Sequence, residues 1–279
     1  MDMLNTQAWV GRVREATGTL SEAEAARIAA TLGTPTPRRG DVLPPLWHWF
    51  AFPDVVEEAE LAEDGHPRRG AFLPPLPLRR RMWAAGALEF RAPARVGEAL
   101  TCRSTILSVA EKGSPARPMA FVTLEHEVRG PGGLVARERQ TLVYLDIPET
   151  FTPPAKRAMP GAPDAQRSEA VSAATLFRFS AVTFNAHRIH YDADYTRAVE
   201  RYPGLVIHGP LQALKLMAFA CDRRGRAPSH FEFRGVHPMF LGANLDLAAC
   251  EDGDGGLRLV AGQDGHQGMT ATAIWEGRP

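Results

Sequence analysis

The chain contains 279 residues, with 32 basic and 32 acidic side chains, and its formal net charge is zero. Hydrophobic residues make up 44% and charged residues 23%, which is typical of a globular protein and excludes the disordered and fibrous classes. Because the charges balance, a general binder of nucleic acid or membrane surfaces is not expected, although a local basic patch could hold a small anion.

The first half of the chain is predicted to hold one helix followed by strands. Residues 21–32 should form the helix, because Ser21 can cap its start and Gly33 can end it. Residues 34–81 are rich in proline and irregular. Three strands joined by glycine- or proline-containing turns are predicted at 101–107, 120–128 and 134–146.

The second half begins after a segment, residues 147–166, that holds five prolines and no apolar periodicity. A strand is expected at 173–181, then a polar turn rich in histidine. Helices follow at 192–200, with Asp192 as its cap, and at 210–221, with Pro210 at its first position. Further strands are predicted at 230–233, 245–249, 257–261 and 268–275.

A repeated motif links the two halves. Glu-Phe-Arg at 89–91 precedes Pro93-x-x-Val-Gly-x-x-Leu, and Glu-Phe-Arg at 232–234 precedes Pro238-x-x-Leu-Gly-x-x-Leu. The two prolines lie 238 − 93 = 145 positions apart, about half the chain. Duplication explains this better than chance, so we expect an α+β protein of two similar units: residues 1–149, a linker at 150–166, and residues 167–279.

The sequence also predicts where the protein is found. Cys102, Cys221 and Cys250 are scattered, which indicates neither a disulfide framework nor a zinc site. The first residues lack the features of a signal peptide, and no apolar run approaches the length of a membrane span. We therefore expect a soluble cytoplasmic protein without membrane or nucleic-acid partners.

The residues with the clearest chemical potential lie between 184 and 210. His190 is the candidate general acid/base, because histidine titrates near neutral pH. Asn185 could hold a water molecule or a substrate oxygen, or could form an Asx-turn. Gly209, at a helix start, could offer its backbone N–H to developing negative charge, or could serve only the turn.

Other residues of this segment allow two interpretations each. His187 and His208 could contact the substrate or belong to the surroundings of the site. Arg188 and Arg234 could bind phosphates or a carboxylate, although solvated surface positions explain them better. The pattern His187-x-x-His190, or His190-x-Asp192, resembles part of a metal site, but Asp192 fits a helix cap better, so no metal is expected.

Residues 177–192 (FRFSAVTFNAHRIHYD) and 202–212 (YPGLVIHGPLQ) closely resemble the hydratase motif of MaoC-like dehydratases. The nearest branch is type 2 3-hydroxyacyl-thioester dehydratase, also called fatty-acid-synthase-like dehydratase. Residues 70–75 (GAFLPP) and 81–86 (RMWAAG) through Gly97 are similar to the N-terminal domain of that branch.

The resemblance implies a double hotdog fold, in which each half is an antiparallel sheet wrapped around a helix. It implies reversible hydration of a 2-enoyl thioester of CoA or acyl-carrier protein, without a cofactor, by an enzyme that forms homodimers or larger homo-oligomers. The acyl group could be short and branched or dicarboxylic, as in mesaconyl-CoA or itaconyl-CoA.

The resemblance also implies roles for single residues. His190 matches the catalytic histidine, and Gly209 matches the glycine whose N–H polarises the thioester carbonyl. Asn185 stands where the wider family has aspartate and cannot act as a carboxylate base. The first half shows no matching pair, so it is expected to shape the acyl pocket. Four aromatic residues could line that pocket or simply pack in the core: Trp47, Trp49, Phe50 and Phe52.

The departure at Asn185 keeps a rival hypothesis open. A hotdog protein that binds acyl thioesters without converting them would carry the same fold and could have lost the aspartate. Turnover of an enoyl-CoA distinguishes the two.

Overall fold

The computed structural model describes residues 6–114 and 117–276. Residues 1–5, on which the expectation about a signal peptide depends, lie outside this range. The centre of the molecule is a sheet of ten antiparallel strands in the order β1-β3-β4-β5-β2-β7-β10-β9-β8-β6. The strands are β1 Val13–Thr19, β2 Arg80–Phe90, β3 Ala99–Ser114, β4 Arg117–Gly130, β5 Gly133–Leu145, β6 Ala165–Glu169, β7 His230–Gly235, β8 Leu245–Glu251, β9 Leu257–Gln263 and β10 His266–Ile274.

The strand order is symmetric about its centre. The first half contributes β1-β3-β4-β5-β2, the second contributes β6-β8-β9-β10-β7, and β2 pairs with β7 at the junction. The two copies of the repeated motif join equivalent strands, β2 to β3 and β7 to β8. Their glycines, Gly97 and Gly242, both have positive φ, the backbone region that glycine enters without steric cost. This is the double hotdog arrangement.

Four α-helices lie on the sheet or at its ends: α1 Glu22–Leu32, α2 Ala173–Val182, α3 Ala193–Ala198 and α4 Gly209–Arg224. Ser21 and Glu24 form a capping box at the start of α1, and Gly33 ends it in a left-handed conformation. Asp192 caps α3, and Pro210 lies in the first turn of α4. These three helices agree with the sequence prediction.

The predicted strand at 173–181 is wrong, since this segment is helix α2. Leu176, Phe179 and Ser180 are buried at helical spacing, whereas Phe177 is 66% exposed. The alternation of apolar and polar residues suggested a strand, but Ser172 caps a helix here by accepting from the backbone N–H of Thr175.

The two strands at the edges of the sheet were not predicted. Strand β1 is mostly exposed, and β6 begins at Ala165, within the segment expected to be linker. They form the two outer edges of the sheet, where a strand buries few side chains and therefore shows little apolar pattern.

The two halves differ in what covers the sheet. In the second half, the 16-residue α4 packs against β8, β9 and β10. In the first half, the chain between α1 and β2 holds only short 3-10 turns, of which the larger is Trp47–Ala51. This difference leaves room beneath β2 to β5. None of the helices in the described part of the chain has the length and apolar character of a membrane span.

Candidate functional site

His190 lies in a one-turn 3-10 helix, Arg188–His190, between α2 and α3. Its Nδ1 lies 2.7 Å from the backbone oxygen of Val206. A carbonyl oxygen can only accept, so Nδ1 carries the proton and Nε2 keeps its lone pair. Burial lowers the pKa of His190 to about 4, so the ring is neutral at pH 7.

His208 supports His190 from behind. The two rings stack with centroids 3.5 Å apart and planes 19° from parallel. A hydrogen bond of 2.9 Å joins His208 Nε2 to the hydroxyl of Ser180. The pKa of His208 is well below its usual value, mainly because the ring is buried and to a smaller extent because His190 is close. His208 was expected to contact the substrate, but it does not line the cavity described below.

Two further histidines extend the cluster. The ring of His187 lies 5.4 Å from that of His190 and 4.0 Å from that of His66, measured between centroids. Nδ1 of His66 donates to Asp64 Oδ2 over 2.9 Å. Burial lowers the pKa of His66 to about 4 and that of His187 well below the usual value, so this row of imidazoles is also neutral.

One group in the described residues offers three possible metal ligands close together. Single ligand atoms of Asp64, His66 and His187 lie within 4.8 Å of one another. The nearby charge of Arg81, which contributes to the lowered pKa of both histidines, opposes a cation at this position. Asp192 takes no part, since its carboxylate caps α3 and binds Arg188.

Asn185 forms the Asx-turn that the sequence allowed. Its Oδ1 accepts from the backbone N–H of His187 at 3.0 Å, so the oxygen is occupied. Within the described residues, the side-chain amide group donates to no protein acceptor, and Asn185 lines the cavity. The side chain can therefore offer donors to a water molecule or a substrate oxygen.

Gly209 is the first residue of α4 and also lines the cavity. Backbone N–H groups in the first turn of a helix have no partner within the helix. Gly209 N–H makes no hydrogen bond to another described residue, so a free donor stands at the positive end of the α4 dipole.

Arg188 is bound by the protein itself. Its Nε and Nη2 donate to Asp192 Oδ2 at 3.1 and 2.7 Å, and its Nη1 donates to the carbonyl oxygen of Glu63. The guanidinium also lies 3.9 Å above the ring of Tyr195. Arg188 was expected to contact the substrate, but it does not line the cavity. Its contacts instead anchor the turn that carries the histidines.

The loop that carries Asp64 and His66 is held against this turn. The backbone N–H of Arg188 donates to the carbonyl oxygen of Asp64 at 2.9 Å. Gly65, with φ of 86°, approaches the carbonyl of Ala186 so closely that a Cβ atom would overlap with it. Asp64 and His66 were not predicted from the sequence, because they lie in an irregular segment and come close to His187 only in the folded chain.

A cavity of about 2250 Å³ runs from the histidine cluster to the open side of the first-half sheet. Among the residues predicted to contact the substrate or line the pocket, those on its wall are His187, Arg234, Trp49, Phe50 and Phe52. Trp47 is buried in the core instead. The wall thus combines an aromatic surface from the first half with His190, Asn185 and Gly209 from the second.

The chain is similar to several known proteins. A family model for hydroxyacyl-thioester dehydratase type 2 matches residues 46–241. Mesaconyl-C(4)-CoA hydratase of Chloroflexus aurantiacus is 38% identical over 275 residues, which cover 98% of each chain. A mitochondrial hydroxyacyl-thioester dehydratase type 2 of Schizosaccharomyces pombe is 26% identical over 238 residues, 76% of this chain and 79% of that protein.

Solved structures show the same fold. A MaoC-like dehydratase from Phytophthora capsici has a TM-score of 0.71 and 14% identity, covering 96% of this chain and 97% of that one. A double hotdog protein of Mycobacterium tuberculosis has a TM-score of 0.58 and 16% identity, covering 95% of each chain.

Proposed function

Because the chain belongs to the hydroxyacyl-thioester dehydratase type 2 family, we propose that it is a hydro-lyase that interconverts a 2-enoyl thioester and a 3-hydroxyacyl thioester. The observation that carries the residue-level proposal is the orientation of His190. Its Nδ1–H is fixed on Val206, so the basic Nε2 is left for the substrate.

Hydration then follows from three groups of the second half. His190 Nε2 removes a proton from a water molecule that the amide group of Asn185 orients. The water oxygen bonds to C3, and the thioester oxygen, which gains negative charge, accepts from Gly209 N–H. His190 returns the proton to C2 on the same face, and dehydration is the reverse.

The other residues act around these three. His208 and Ser180 hold the His190 ring in place, and His187 continues the neutral wall beside it. Arg234 is exposed on the cavity wall and is proposed to meet phosphates of the carrier. We assign the acyl pocket to residues 1–149 and the catalytic groups to residues 167–279, which agrees with the absence of a long helix from the described first half.

The remaining parts of the proposal concern the substrate and the surroundings of the enzyme. The 38% identical relative is named for mesaconyl-C(4)-CoA, which supports a short acyl-CoA as the substrate. A cytoplasmic location and a homodimeric or larger assembly are further proposals. Light scattering on the purified protein measures the assembly.

The direct test follows the absorbance of the conjugated thioester with crotonyl-, mesaconyl- and itaconyl-CoA. We expect turnover of at least one, and His190→Ala should lower kcat by at least about 100-fold, as for a lost general acid/base. His230→Ala is the matched control, since His230 does not line the cavity.

An undiminished rate in His190→Ala would remove that residue from the mechanism. Binding of all three thioesters without turnover would instead support the alternative, a non-catalytic acyl-thioester-binding protein.

A further inference from the structure

The first-half wall of the cavity is interrupted by polar side chains. The hydroxyl of Ser104 and Nδ1 of His126 are 2.7 Å apart, and Nε2 of His126 lies 3.2 Å from Gln140 Oε1. Trp49 Nε1 donates to Glu138 Oε2 at 2.8 Å. All five residues line the cavity. A long hydrocarbon chain would leave such groups poorly solvated, so this wall suits a short acyl group with a polar end.

Arg81 adds a positive charge to the same wall. It lies on β2 directly across from Tyr144 of β5, is partly buried, and lines the cavity. Its neighbour Arg80, which also lines the cavity, is paired with Glu200 over 2.8 Å. Arg81 itself has no ion pair with any carboxylate in the described part of the chain.

Other charged groups lie near Arg81. Asp64 is the nearby carboxylate, and its Oδ2 accepts from His66. A second guanidinium, Arg69, also lies nearby and donates to backbone carbonyls, those of Leu76, Leu78 and Arg79. Because the surrounding histidines are neutral and Arg81 has no ion pair among the described residues, its partly buried positive charge favours an anionic ligand.

This charge stands close to the reacting centre. The Arg81 guanidinium lies near enough to His66 and His187 to contribute, after burial, to the lowered pKa of each ring. His187 in turn lies 5.4 Å from His190 between ring centroids. An anion bound at Arg81 would therefore belong to the acyl end of the substrate, near the carbon that His190 hydrates.

We propose that Arg81 binds a free carboxylate on the acyl group, which makes the substrate the mono-thioester of a short 2-enedioic acid. The proposal rests on the hydratase function above and adds its specificity-determining residue. A planar guanidinium can hold a carboxylate through two parallel hydrogen bonds, whereas the methyl end of a simple enoyl chain would leave the charge unpaired.

A matched pair of substrates tests the assignment. Fumaryl-CoA and crotonyl-CoA have four acyl carbons each. The acyl chain ends in a carboxylate in fumaryl-CoA and in a methyl group in crotonyl-CoA. The wild-type enzyme should show the higher kcat/KM with fumaryl-CoA. Arg81→Met should lower kcat/KM for fumaryl-CoA about 10- to 100-fold, mainly through KM, and leave crotonyl-CoA within about threefold.

Arg79→Met is the control, since Arg79 is exposed immediately before β2 and does not line the cavity. This variant should leave kcat/KM unchanged for both substrates. An equal loss for both substrates in Arg81→Met, or no loss for fumaryl-CoA, would overturn the proposal.

A binding measurement keeps the proposal testable if Arg81→Met does not fold. Succinyl-CoA and butyryl-CoA are the saturated counterparts, and succinyl-CoA should bind the wild-type protein at least about 10-fold more tightly. Equal affinity would overturn the role of Arg81. Failure of the hydratase proposal is distinguishable, because it would abolish turnover of both enoyl thioesters while leaving this difference in affinity intact.

Discussion

At the scale of single residues, the site depends on histidines that the fold keeps neutral. The cluster holds four, His66, His187, His190 and His208, and burial lowers the pKa of each. A neutral ring with one fixed proton is a base on one nitrogen and a donor on the other. The hydrogen bond to Val206 makes Nδ1 of His190 the donor and leaves Nε2 as the base.

The same histidines should make the stability of the protein depend on pH. In the unfolded chain they take up protons near pH 6.5, but in the folded protein His66 and His190 do so only near pH 4. The free energy of unfolding should therefore decrease as the pH falls from 6.5 to 4, and should be fully restored above 6.5.

Thermal unfolding at a series of pH values measures this effect. His66→Gln removes one of the groups and should flatten the dependence. A melting temperature that stays constant between pH 6.5 and 4.5 would contradict the prediction.

At the scale of elements, much of the secondary structure was predictable from local signals. Helices α1, α3 and α4 carry their start and stop signals in neighbouring residues, and the repeated motif marks equivalent strand connections. Segments whose identity depends on burial were not predictable. Helix α2 has an alternating pattern that suits a strand, and the edge strands β1 and β6 bury too little to show one.

The site divides in the same way. His190, Asn185 and Gly209 were predicted because they are close in sequence and match one motif, and the structure places all three on the cavity wall. Asp64, His66 and Arg81 come from the first half, and only the folded chain brings them beside His187. A single sequence contains no local signal that residues so far apart in the chain will lie close together.

The docking of the 62–66 loop provides a prediction at this scale. Gly65→Ala places a methyl group against the carbonyl of Ala186, so the loop must move away from the histidine turn. We expect kcat/KM to fall, because His66 separates from His187, while the circular dichroism spectrum stays that of the wild type.

Gly40→Ala is the control, since Gly40 also has positive φ, at 88°, but a Cβ there meets no atom within 4 Å. Both variants carry similar backbone strain, and only Gly65→Ala adds the overlap. If the two have the same kcat/KM, the loop contact does not matter for activity.

At the scale of the whole molecule, a buried ion pair ties the halves together. Arg80, at the start of β2, binds Glu200, which follows α3, and both side chains are at most 6% exposed. The guanidinium also lies 4.3 Å above the ring of Tyr202. Together with the pairing of β2 and β7, this contact joins the two halves.

Arg80→Met should lower the free energy of unfolding by about 3–5 kcal/mol, because it leaves the Glu200 carboxylate buried without a partner. Arg14→Met is the matched control, since the Arg14–Asp54 pair is about half exposed and should contribute at most about 1 kcal/mol.

Urea unfolding measures both variants. The double variant Arg80→Met, Glu200→Leu should regain much of the loss, since no charge is then left unpaired. Equal stabilities of Arg80→Met and Arg14→Met would contradict this assignment.

The symmetric order of the ten strands has a consequence for how such an enzyme can change. In an assembly of two identical chains, every substitution occurs twice, once on each side of the axis. Here the equivalent positions belong to one chain and are encoded separately. If, as proposed, the first half shapes the acyl pocket and the second half carries the catalytic groups, a change in the pocket can leave the histidine turn in place. On that proposal, specificity and catalysis can be altered independently, each by changes in its own half of the sequence.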